Sequence, residues 1–88
     1  TLIGNAVHEM SSGFTVFPNP SEGAYAITVN DGTSILELEV FDVSGKKIIS
    51  TSPFSSQATV DLSNYAKGFY VLKIRTAHSS RTIRLERI

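Results

Sequence analysis

Leu36-Glu37-Leu38-Glu39-Val40-Phe41-Asp42-Val43-Ser44-Gly45-Lys46 alternates apolar and acidic side chains and then turns. Leu36, Leu38 and Val40 fall on one side of an extended chain, and Glu37 and Glu39 on the other. That period of two describes a strand with one face against a core and the other in water. Asp42-Val43-Ser44-Gly45 closes a hairpin, since Gly45 is free to take a positive φ, and residues 46–51 return as the partner strand.

The same grammar extends in both directions. Upstream, Phe14-Thr15-Val16-Phe17 is a short strand stopped by Pro18 and Pro20, which cannot donate to a ladder and hold the preceding residue extended. Gly23 resets the direction, Tyr25, Ile27 and Val29 share one face of the next strand, and Asn30-Asp31-Gly32 turns it. Downstream, Pro53 ends the partner strand and Ala58, Val60 and Leu62 alternate with Thr59 and Asp61. Residues 63–68 are long enough to carry the chain from one sheet to another. Tyr70, Leu72 and Ile74 then face inward against outward Lys73 and Arg75, and the last strand, residues 81–88, buries Ile83 and Leu85. Strands at intervals of roughly 8 to 12 residues with no amphipathic helix between them predict an all-β fold. The expected form is an antiparallel immunoglobulin-like β-sandwich of about seven strands, without the tryptophan and cysteine pair of antibody domains. Residues 1–13 lack a clear period and are expected to be a linker or a loosely held N-terminal segment. The compact domain is expected over residues 14–88.

An 88-residue chain makes one domain, because a core this size buries only roughly 60 to 65% of the unfolded surface. Without cysteine there is neither a disulfide framework nor a thiolate metal site, so the apolar core must hold the fold alone. No run of about 18 apolar residues is present to span a bilayer as a helix, and the N-terminus does not have the form of a signal peptide. A start at Thr1 is what a fragment or a processed product would show. The formal net charge is zero, yet residues 1–45 carry six acids and no Lys or Arg, while all eight basic side chains lie from Lys46 onward. Arg75, Arg81, Arg84 and Arg87 cluster near the end, where they would steer a partner of opposite charge; the plainer account is a solvated strand face.

Reactive chemistry is sparse. His8 and His78 have no second histidine at a metal-ligand spacing and fit solvated loops. Glu37 and Glu39 are the only close carboxylate pair on one strand face, too few oxygen ligands for calcium. Ser44 lacks the glycine two residues earlier that a nucleophile elbow needs, and the glycines are spread one per turn, which leaves no phosphate-cradling loop. Pro20 disqualifies Asn19 as a glycosylation acceptor. Most aromatics are expected at core positions, not interleaved with basic residues as nucleic-acid binding requires. No cofactor, metal, catalytic residue or nucleic-acid partner is expected.

Phe17-Pro18-Asn19-Pro20 with Gly23, then Val40-Phe41-Asp42 with Gly45 and Lys46, then Asp61-Leu62 followed by Gly68, Tyr70, Leu72 and Ile74, then a basic last strand, occur in that order. Over residues 14–88 the chain resembles the type A C-terminal sorting domains of type IX (Por) secretion cargo. The resemblance matches Pro18, Asn19, Pro20 and Gly23 to the first motif, Asp42, Gly45 and Lys46 to the second, and Gly68, Tyr70, Leu72 and Ile74 to the third. Relatives often carry lysine near the end where this chain has Arg81, Arg84 and Arg87. The resemblance implies a Bacteroidetes-type source and an address domain that directs an attached N-terminal cargo through the periplasm and outer membrane to the surface or medium. It also implies an outer-membrane translocon as receptor and a sortase-like peptidase that cuts the domain off, within or upstream of residues 1–13. On this reading the matched turn and core residues are structural, and Lys73, Arg75, Arg81, Arg84 and Arg87 meet the translocon through strand addition or surface docking. The competing class is a β-sandwich accessory or adhesion module with no sorting role. A carbohydrate-binding module is weaker still, since Tyr25, Tyr65 and Tyr70 form no obvious platform and there is no tryptophan.

Overall fold

The period-two alternation becomes eight strands in the computed structural model, which describes residues 9–11 and 13–88. They are β1 (Glu9–Ser11), β2 (Phe14–Phe17), β3 (Ala24–Val29), β4 (Ile35–Phe41), β5 (Lys47–Thr51), β6 (Gln57–Asp61), β7 (Gly68–Thr76) and β8 (Ser80–Arg87). Every pairing is antiparallel, in two four-stranded sheets of order β1-β2-β3-β6 and β5-β4-β7-β8. In immunoglobulin terms β2, β3 and β6 stand as strands A, B and E, and β5, β4, β7 and β8 as C′, C, F and G. The tyrosine corner of that fold is present too, with the Tyr70 hydroxyl at the start of β7 donating to the carbonyl of Ala66. β2 to β8 form the expected sandwich of about seven strands.

Inward faces meet as the alternation requires. Phe14 and Val16, then Tyr25, Ile27 and Val29, with Val60 and Leu62, line one layer; Leu38 and Val40, Tyr70, Leu72 and Ile74, with Ile83 and Leu85, line the other. All are buried. The alternation fails at one point. Leu36 was expected inward, but a register shift lies between Ile35 and Glu37, with Ile35 opposite Thr76 and Glu37 opposite Arg75. Leu36 is the extra residue of this β-bulge, so Ile35 takes the buried position and Leu36 is only partly covered. The expected N-terminal linker falls mostly on residues 1–8 and 12, outside the described residues; Glu9–Ser11 pairs with β2, Met10 opposite Thr15.

Candidate recognition surface

β7 and β8 form a hairpin in which Tyr70 faces Leu85, Leu72 faces Ile83 and Ile74 faces Arg81. Parity then sorts the five cations expected to act together. Lys73 and Arg75 on β7 and Arg84 on β8 are exposed on the outer face of the sheet, whereas Arg81 and Arg87 share the odd, inward row with Ile83 and Leu85. Both of these are half-buried at opposite ends of that row. The five are therefore not brought together on one face. Arg87 is a clamp, donating from Nε to the carbonyl of Leu62 (2.9 Å), from Nη2 to Ser63 (3.1 Å) and from Nη1 to Ile88 (3.3 Å). The Nε of Arg81 is buried and makes no hydrogen bond among the described residues.

On the outer face, Glu39 pairs with Lys47 at 2.8 Å and Glu37 with Arg75 at 3.3 Å. Hydrogen bonding to Glu39, then its charge, raises the Lys47 ammonium above its ordinary range. The carboxylate pair of the sequence is thus spent on cations across the sheet. Lys73 lies 5.1 Å from the centroid of the Phe41 ring and the Arg84 guanidinium 4.7 Å from that of Phe69. Neither makes an ion pair among the described residues.

The strand edge carries information that the motif residues alone did not reveal. β8 is the last strand of its sheet, and Asn19, between Pro18 and Pro20, caps part of its outer side. Its Nδ2 donates to the carbonyl of Arg84 (2.9 Å) and its Oδ1 accepts from the Glu86 N–H (3.0 Å), so one side-chain amide pairs with β8 as a neighbouring peptide would. Ser21 continues the seam, its N–H donating to the Glu86 carbonyl (3.0 Å) and its carbonyl accepting from the Ile88 N–H (2.9 Å). Tyr25 from the other sheet donates its hydroxyl to the same Glu86 carbonyl at 2.6 Å. Asn19, Ser21 and Tyr25 thus join the two layers. Sequence reasoning assigned Asn19 only to a turn; the available signal was an amide isolated between two residues that have no N–H to give.

The remaining motif residues hold turns and core. Gly23 has φ 148°, and a Cβ there would lie 2.9 Å from the backbone of Ser63. Asp42 Oδ1 accepts from the Ser44 N–H (2.9 Å), the Ser44 hydroxyl (2.6 Å) and the Lys46 N–H (3.0 Å), and these bonds, the hydroxyl's foremost, hold its carboxyl below the usual range. Lys46 enters through its backbone, and Gly45 completes the turn at φ 90°. Gly68 opens β7, and Tyr70, Leu72 and Ile74 are core. His78 is exposed in the β7–β8 turn, and His8 lies outside the described residues. Among the described residues no three His, Cys, Asp or Glu side chains gather as a metal site would need. No helix among them is long and apolar enough to cross a membrane.

A family model described as a secretion system C-terminal sorting domain matches residues 15–85. No curated protein matches the chain significantly.

Proposed function

This chain belongs to the secretion system C-terminal sorting domain family, and from that membership we propose that it directs an attached cargo through the outer membrane by way of the type IX translocon. The family as such is a sorting signal for type IX secretion, which implies attachment to a cargo protein, recognition by the secretion machinery and export to the surface or medium. The match over residues 15–85 is the observation that carries the reading. The domain acts as a binding label without catalysis, and its compact unit runs over residues 14–88. Passage is through the periplasm and across the outer membrane. A sortase-like peptidase then removes the domain, cutting within or upstream of residues 1–13, where an extended backbone suits a protease.

Recognition falls on the cations of the β7–β8 ribbon. Lys73, Arg75 and Arg84 offer charge to the receptor directly from the outer face. Arg81 and Arg87 contribute from the ends of the inner row, Arg87 by fixing β8 to residues 62 and 63. The decisive experiment fuses residues 1–88 to a neutral reporter in a host that carries type IX machinery. Reporter in the medium or on the surface is the expected result; retention in the periplasm overturns the sorting assignment. N-terminal sequencing of any released domain locates the cut, and a first residue beyond Phe14 overturns the proposed cleavage region.

A further inference from the structure

We propose that the free half of the β8 edge, from Ser80 to Arg84, is a docking site for one extended acidic strand of the export machinery, and that Asn19 and Ser21 set its limit. The inference rests on the sorting function proposed above.

Backbone groups taken by Asn19 and Ser21 all belong to even-numbered residues: the carbonyl of Arg84, the N–H and carbonyl of Glu86, and the N–H of Ile88. In an antiparallel strand the N–H and C=O of one residue point to the same side and successive residues alternate. The odd residues therefore serve β7, and the even ones face away from it. Continuing up the strand with no register break, both backbone groups of Thr82 and the N–H of Arg84 point outward as well. No hydrogen bond takes them among the described residues. Ser80, Thr82 and Arg84 are all exposed. The edge is thus sealed from Arg84 C=O to Ile88 and open above it, a length that fits strand addition over a few residues.

Charge selects the occupant. An added strand lies about 5 Å from β8 and about 10 Å from β7, so Arg84 on the outer side and Arg81 on the inner side are its nearest charges. Lys73 stands about one Debye length away at physiological salt and adds less. Among the described residues neither Arg81 nor Arg84 has a carboxylate partner, and the buried Nε of Arg81 has no acceptor there. Carboxylates an odd number of residues apart, on the two faces of an incoming strand, complement these groups. A second copy of this chain would instead bring the same cations to the seam, the usual protection of an exposed edge against self-pairing.

Thr82→Pro tests the backbone directly, because it deletes an N–H that β7 does not use, and proline is tolerated where a strand N–H faces solvent. In the reporter fusion, its export is expected to fall about tenfold, the worth of roughly one main-chain hydrogen bond, while Thr82→Val exports like the parent. If the parent fusion itself is not exported, the sorting assignment fails. If parent and Thr82→Pro are exported equally, only the edge proposal fails. Should Thr82→Pro melt far below the parent, Arg84→Glu decides: folded protein with reduced export supports an acidic strand, and unchanged export overturns it.

Discussion

Gly23 sits where two independent constraints meet, a backbone at φ 148° and an approach of 2.9 Å between a Cβ and the Ser63 backbone. Gly23→Ala must strain the one and displace the other, and backbone cannot yield as a flexible side chain does. The expected cost is about 2–3 kcal/mol, which for a chain of this size lowers the melting temperature by about 10 °C or more; calorimetry checks it. Tyr25 makes a second prediction through its buried hydroxyl. Burial, opposed in part by the charge of Arg87, pushes its pKa from 10.0 up to about 12. The unfolded tyrosine therefore loses its proton first as pH rises, so its stabilisation is complete below pH 10 and is lost between there and about 12. Tyr25→Phe should cost about 1 kcal/mol at neutral pH for the missing bond to Glu86. It should also flatten the alkaline fall of the melting temperature; an equally steep fall in the variant would show that another group controls it.

Turns and strands differ in how openly their sequences declare them. Tyr25, Ile27 and Val29, or Tyr70, Leu72 and Ile74, announce a buried face because side-chain direction follows from spacing alone. Parity likewise placed Arg81 and Arg87 in the row of Ile83 and Leu85, so their separation from Arg84 was already legible in residues 81–88. The bulge at Leu36 was not, since it inserts a residue without changing composition and depends on pairing with β7. The seam made by Asn19 and Ser21 was signalled only by the amide between two prolines, and its partners were hidden because they lie more than 60 residues away. The turns permit an acid test. Asp31, Asp42 and Asp61 each accept a hydrogen bond from the backbone N–H two residues on. Bonds from Thr33, Ser44 and Ser63, their hydroxyls foremost, hold the three carboxyls below the usual 3.8. Their contribution is present above the unfolded pKa and is lost as pH falls through 3.8 and below. Replacing all three by Asn, which supports the same turns without a charge, should shrink the drop in melting temperature between neutral pH and about pH 3, where most unfolded-state carboxylates are protonated. An undiminished drop would assign acid sensitivity to other carboxylates.

At the scale of the molecule, the strand proposed to be read by the receptor is also the strand that closes the sandwich. Ile83 and Leu85 are core residues, and beyond them residues 86–88 connect β8 to the other layer. Glu86 accepts from Ser21 and Tyr25 and donates to Asn19, Ile88 donates to Ser21, and Arg87 reaches the carbonyls of Leu62 and Ser63. At about 0.5–1 kcal/mol net for each of these bonds, their loss approaches the roughly 4–13 kcal/mol that holds a domain of this length together. Removing residues 86–88 is therefore expected to lower the melting temperature by about 15 °C or more, and removing residues 81–88 to abolish cooperative unfolding, since Ile83 and Leu85 leave with them. An export defect after either truncation would then report unfolding as readily as lost recognition. Point changes at Thr82 and Arg84, which lie on the exposed side of β8, separate the two. If a chain lacking residues 86–88 unfolded cooperatively within a few degrees of the parent, the seam would be decorative, and the coupling of address and architecture in one strand would have to be abandoned.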